Sequence, residues 1–237
     1  MVKEQRVQIV ADSDPTSPRD WDNAGRMVCW HRNLNLGDEH DYGDPADFQR
    51  ELAFEAHDGL EDRVHRLENE GWDRRFDKAV DDGIDNPREY VDKVVSTKVD
   101  ELITKTVDDG YVILPLYLYD HSGITMSTGA FDCPWDSGQV GWIICDKETI
   151  EREFNGDRDL AEKCLLAEVA TYDQYLIGDV YGFIVEKREE CAKCGHSDWE
   201  HVDSCWGFYG SDVRENGMAD HLGEELIELA VAAEVEY

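Results

Sequence analysis

The apolar residues of this chain change their spacing as one reads along it, and the spacing divides the chain into elements. Val7 to Ala11 (VQIVA) is a short β-prone run, ended by the turn formers Asp12-Ser13-Asp14-Pro15. Met27 to His31 is a second short apolar run. Asp44-Pro45-Ala46-Asp47 reads as a helix start, with Asp as N-cap and Pro in the first turn. That helix runs to about His57, with Phe48, Leu52 and Phe54 available for burial. Asp58-Gly59 interrupts it, and a second polar helix runs on to about Gly71. Asn86-Pro87-Arg88-Glu89 combines an N-cap, a Pro at the first position and a capping-box Glu. Val91, Val94, Val95, Val99, Ile103 and Val107 then recur at helical spacing until Gly110.

After residue 110 the pattern turns to strands. Tyr111 to Tyr119 (YVILPLYLY) predicts a largely buried strand, with Pro115 marking an edge position or a bulge. Val140 to Cys145 predicts another. Helices fit 148–154 and 157–172, Asp179 to Glu186 predicts a strand leading by a hairpin into a Cys-rich stretch, and a helix closes the chain over 219–233. Helices gather before residue 110 and strands after it. The expected class is therefore α+β, an N-terminal helical segment followed by a mainly antiparallel sheet. One domain is expected over 1–237, with a small Cys-rich hairpin at 187–210 inside it.

Composition narrows the functions. The net charge is −32, from 55 Asp and Glu against 23 Lys and Arg. Such a chain is not expected to bind nucleic acid directly, because that contact draws its affinity from cationic groups. It is equally unsuited to anionic membranes, and no apolar run approaches the ~18 residues of a bilayer span. The opening residues lack the apolar stretch of a secretory signal. The acidity has two readings, nucleic-acid mimicry and adaptation to a salty cytoplasm. It is spread evenly, −4, −7, −6 and −7 in successive blocks of fifty, and only nine residues are Lys. An even coat favours salt adaptation over a shaped acidic stripe.

The rarest residue types cluster against this background. Ser17–His31, Asp120–Trp142 and Cys191–Tyr209 hold six of the seven Trp and five of the seven Cys. An odd number of Cys with one Cys-x-x-Cys pair points to a reducing compartment and a metal site, not a disulfide framework. Cys191, Cys194, His201 and Cys205 have the form C-x2-C-x6-H-x3-C, which would suit a structural tetrahedral zinc, with His196 as a rival ligand. Reduced, buried cysteines in a strand pair are the competing reading.

In the second cluster Asp120 and His121 stand at a strand end, followed by Cys133, Asp136 and several hydroxyls. An acid, a base and a nucleophilic thiol are the parts of a hydrolytic site, provided the base reaches the nucleophile. His31, on alternate strand positions with Cys29, is a further candidate. A polar loop that caps its own backbone is the competing reading. Finally, Val10-Ala11-Asp12-Ser13-Asp14-Pro15-Thr16 resembles the first motif of haloacid-dehalogenase-type phosphatases. That resemblance would imply Asp12 as nucleophile and Asp14 as acid/base around Mg²⁺. It covers seven residues, Pro15 sits awkwardly in it, and Asp-Ser-Asp-Pro also makes an Asx turn.

Three longer stretches, SPRDWDNAGRMVCWHRNLNLGDEH, LPLYLYDHSGITMSTGAFDCPWDSGQVGWI and DSCWGFYG, resemble a widespread group of uncharacterised proteins encoded by tailed viruses and by prophages. The resemblance covers about half the chain. It implies a virus-encoded accessory protein of the host cytoplasm, here in a version suited to a salt-adapted host. The expected function is binding of a host protein, in interference with host defence or DNA metabolism. The alternative is a hydrolase with a site built from the 17–31 and 120–137 segments.

Overall fold

A computed structural model describes residues 4–190 and 195–236. The chain is α+β, built from helices and mainly antiparallel sheets. Strands come first, however: β1 (Glu4–Ala11) and β2 (Arg26–Cys29) both precede the helical segment. That segment holds α1 (Phe48–Ala56), α2 (Leu60–Glu68), α3 (Glu70–Asp81) and α4 (Pro87–Gly110). There follow β3 (Tyr111–Asp120), β4 (Ile124–Ser127), β5 (Ser137–Asp146), α5 (Lys147–Phe154), α6 (Arg158–Ile177), β6 (Val180–Glu190), β7 (Ser197–Tyr209), α7 (Glu224–Ala232) and β8 (Val235–Glu236). No helix among the described residues is long and apolar enough to cross a membrane.

The chain forms two compact units, one of Met1–Asn23, Leu116–Val140 and Leu166–Tyr237, the other of Ala24–Pro115 and Gly141–Leu165. The first holds a four-stranded sheet of order β7-β6-β1-β8, in which only the short β1–β8 pair is parallel. Alternate residues of its strands, Val7, Ile9, Tyr181, Phe183 and Val185, form one apolar face, as a period of two requires. Met218, Leu222 and Ala230 cover that face.

The second unit is cored by the helices. Val91, Val95, Val99, Ile103 and Val107 make a buried stripe on α4. Phe48, Leu52, Leu60, Val64 and Ala79 of the three shorter helices pack in the same cluster. Burying such side chains is worth roughly 1.5–3 kcal/mol each and holds these otherwise very polar helices together. The second sheet has the order β2-β5-β3-β4. Pro115 lies on β3 beyond the stretch paired with β4, which covers only Tyr117–Asp120, so its missing N–H costs no bond to that neighbour.

Several ends differ from expectation. Asp44 does not cap α1. Its carboxylate accepts from Ala46 N at 2.8 Å to close a preceding turn, and the helix starts at Phe48. Gly71 does not stop the second helix. It lies inside α3, where Trp72 and Phe76 pack against the helical core.

Candidate functional site

Asp120 ends β3, and the three residues 121–123 turn the chain into β4, with Ser122 in the left-handed region at φ 57°. The loop 128–136 returns beside this turn, where Asp120 N donates to Asp136 O at 2.8 Å. Asp173 of α6 ties β4 down, its Oδ1 accepting from Thr125 Oγ1 and Met126 N, each at 2.7 Å. This frame brings His121, Asp136 and Cys133 together. The His121 Nδ1 is 3.5 Å from Asp136 Oδ2, and the Cys133 Sγ lies 3.6 Å from the same oxygen. The His121 Nδ1 and the Cys133 Sγ are thus within about 7 Å of each other.

The order of the three groups matters. A thiol is activated when the imidazole takes its proton, with the carboxylate behind the ring. Here the carboxylate stands between ring and sulfur, and the imidazole pairs with Asp136 on one side and lies near the Tyr119 ring on the other. The His121 side chain is 64% exposed, so no wall excludes water from it. Trp135, in the same loop, is 92% exposed. Asp120 contributes its backbone, and its side chain is exposed. His31 belongs to the other unit, beyond the end of β2. Its Nδ1 accepts from Asn33 N at 3.4 Å and Leu34 N at 3.1 Å and so closes its own turn. Asp12 likewise accepts from Asp14 N at 3.1 Å, an Asx turn.

Of the expected zinc ligands, Cys191 and Cys194 lie outside the described residues. His201 and Cys205 lie on β7. His201 pairs with Glu186 and Cys205 with Phe183, and Val202 is an extra residue between them. This bulge reverses the alternation, so Cys205 faces the apolar side with Phe183 while His201 shares the opposite face with Glu186. The His201 Nε2 lies 3.2 Å from Ser204 Oγ, and His196 Nε2 is 2.9 Å from Asp198 Oδ2. The five described cysteines are free thiols.

A different feature of the first unit was not singled out in the sequence. An open cleft of about 660 Å³ lies between the start of the chain, α6 and the end of β7. Trp21 and Tyr209 meet there edge to face, with ring centroids 5.1 Å apart and planes at 87°. The Tyr209 hydroxyl donates to Thr16 O. Burial pushes its phenol pKa up, and the neighbouring Tyr175, Asp12 and Asp20 add to the shift. Asp179, Asp212 and Glu215 are the charged lining, and among the described residues no Lys or Arg lines the cleft. Arg19, two residues before Trp21, forms a 3.1 Å ion pair through its guanidinium with Glu168 of α6. The sequence signal for this cleft was the concentration of Trp in 17–31 and 191–209, whose ends meet here. Gln174, Asp179 and Glu215 gave none.

No protein-family model, curated protein or solved structure matches the chain.

Proposed function

We propose that this protein acts by binding a partner protein, and that its Trp21–Tyr209 cleft takes a basic side chain of that partner. The carrying observation is an aromatic pair, with Trp21 48% exposed, in a cleft whose charged lining is entirely carboxylate. A Lys or Arg entering it meets ring faces and acids together, the environment that favours a cation. The hydrolase alternative finds less support, because His121 contacts Asp136 and not the Cys133 sulfur. The likeness of the three long segments to proteins of tailed viruses and prophages supports the setting, a virus-encoded accessory protein in the cytoplasm of a salt-adapted host. A host protein is then the natural partner.

Titration of the full chain with an Arg- and Lys-containing tetrapeptide in 1 M KCl, followed by Trp fluorescence, tests the cleft. High salt removes the general attraction of an acidic protein for any cation. Trp21→Leu leaves the charge unchanged and is expected to weaken binding about 5- to 30-fold, the equivalent of a ~1–2 kcal/mol cation–π contact. Equal binding by the variant would overturn the proposal.

A further inference from the structure

Basic side chains are scarce in this chain, yet five line one groove of about 530 Å³ on the helical block: Arg63, Arg66, Arg74, Arg75 and Lys78. Together with Leu67, Glu70 and Gly71 they repeat at alternate intervals of three and one, the spacing of a single helix face. The face runs across two helices because α2 and α3 join end to end at Asn69. Asn69 N donates to His65 O, and Trp72 N and Asp73 N donate to Asn69 O, so this one residue, at φ −105° and ψ −82°, links the end of α2 to the start of α3. The other acids of these helices, Glu61, Asp62, Glu68, Asp73, Asp77 and Asp81, stand outside the groove. Arg74 Nε and Arg75 Nη1 donate to the carbonyl oxygens of Glu70 and Gly71, at 3.2 and 2.7 Å. Among the described residues none of the five cations forms an ion pair with a carboxylate.

Helix α4 carries the reverse pattern. A second groove, of about 570 Å³, follows its outer face and is lined by Asp100, Glu101, Lys105, Asp108 and Asp109 with two threonines. All of these are exposed. Along α2–α3 the order is Arg66, Glu70, Arg74: plus, minus, plus, at intervals of four residues. Along α4 it is Glu101, Lys105, Asp109: minus, plus, minus, at the same intervals. Four helical residues rise ~6 Å, so the α4 triplet spans ~12 Å, and Glu70 to Arg74 on α3 covers the same ~6 Å step. Arg66 stands across the Asn69 joint on α2, and the signs alternate in the same order when the two stripes lie side by side. Each triplet reads the same in both directions, so the match holds for parallel and antiparallel helices alike.

The geometry points to a second copy of this chain as the occupant of the basic stripe. The two stripes lie on α2–α3 and α4, and both α2 and α3 pack against α4 within one unit. A two-fold axis between them sets the basic stripe of each copy on the acidic stripe of the other, the reciprocal contact of an isologous dimer. Glu70, in the middle of the basic stripe, suits the Lys105 of a partner copy and disfavours a phosphate chain in its place. The charge of −32 repels two copies at long range. Raising KCl from about 0.01 M to about 1 M cuts the screening length from ~30 Å to ~3 Å and removes that repulsion, while contact pairs are screened less. Association therefore strengthens with salt over this range.

Sedimentation equilibrium of the full chain in 1 M KCl tests the dimer with two charge reversals, Arg66→Glu with Arg74→Glu, and Glu101→Arg with Asp109→Arg. Each reversed chain alone sets like charge on like and is expected to dimerise at least tenfold more weakly. The first reversal makes the net charge more negative and the second less, so a shared loss does not come from net charge. An equimolar mixture restores both contacts and is expected to associate as the unaltered chain does. Should a reversed chain lose its helical circular dichroism, Arg66→Gln with Arg74→Gln replaces it, with the same direction of change. A wild-type chain that stays monomeric, reversed chains that dimerise normally, or a mixture that does not associate would each overturn the dimer. So would a monomer that binds sodium tripolyphosphate through Arg66 and Arg74, since the stripe would then be a phosphate site.

Discussion

Replacing Glu168 by Ala probes the anchor beneath the aromatic cleft. Arg19 and Glu168 meet at 3.1 Å with side-chain exposures of only 6% and 11%, and they join the first segment of the chain to α6 across 149 residues of sequence. Removing one partner of a buried pair leaves the other charge poorly solvated, which costs about 3–5 kcal/mol. Arg19 makes further contacts that soften the loss, so the lower end, about 3 kcal/mol, is expected. With a urea slope of ~3 kcal/mol/M, that moves the unfolding midpoint down by ~1 M. Because the pair is shielded from solvent, the cost should be nearly the same in 0.5 M and 2 M KCl. Arg214–Glu228, at 2.7 Å but with exposures of 53% and 72%, is the contrast, and its loss should cost at most about 0.5 kcal/mol. Urea titrations of both variants at the two salt concentrations make the comparison. A loss under about 1 kcal/mol for Glu168→Ala, or one that fades with salt as the surface pair does, would refute the buried-pair reasoning.

Other outcomes follow from particular contacts. At Gly182 an added Cβ would come within 2.3 Å of the Trp206 ring and 2.8 Å of Cys205 O, so Gly182→Ala should separate β6 from β7 and lower stability by about 2–3 kcal/mol, read by thermal melting. At Gly141 the clash is with backbone, 2.0 Å from Val28 O, and Gly141→Ala should cost more, about 3 kcal/mol or above. Burial, with help from the hydrogen bond to Glu55, pushes the Tyr42 phenol up from 10.0 to about 12. A raised folded pKa means this contribution is complete below pH 10 and is lost as the pH rises toward 12. Phenolate absorbance should therefore show, among the late-titrating tyrosines, a step near pH 12 that disappears in Tyr42→Phe. Metal analysis tests the zinc expectation: one ion per chain supports the set of Cys191, Cys194, His201 and Cys205. Loss of that ion in His201→Ala would require the Val202 bulge to straighten, against the register of β7.

Legibility in the sequence followed how local the signal was. The bounds of helix α4 were readable: it starts at Pro87, a Val/Ile stripe at four-residue spacing fills it and it ends at Gly110, but Asn86 sits in the left-handed region, makes no side-chain cap bond and gives its amide to Glu89 instead. Helix α3 was harder to read. Gly71 looks like a stop, but the packing of Trp72, Phe76 and Ala79 into the helical core holds it in a helix. Strand β4 was missed because four residues carry too little pattern, and Asp173 from α6 supplies the bonds that fix it. Near Cys133 the residue types were readable, but the order thiol, carboxylate, imidazole was not. It depends on how two loops fold back beside each other.

Residue chemistry and short-range spacing were enough to establish the α+β class, most element positions, the acidic coat and the segments where rare side chains gather. Periodicity and capping act within a few residues, so one dimension records them. The arrangements on which the proposed function rests join residues far apart in the chain. Trp21 meets Tyr209, Arg19 meets Glu168, and a single extra residue in β7 turns His201 away from Cys205. The charge-matched stripes of α2–α3 and α4 show the same division. Each is a spacing visible in the sequence, but only packing shows which face of each helix is buried and which is left exposed.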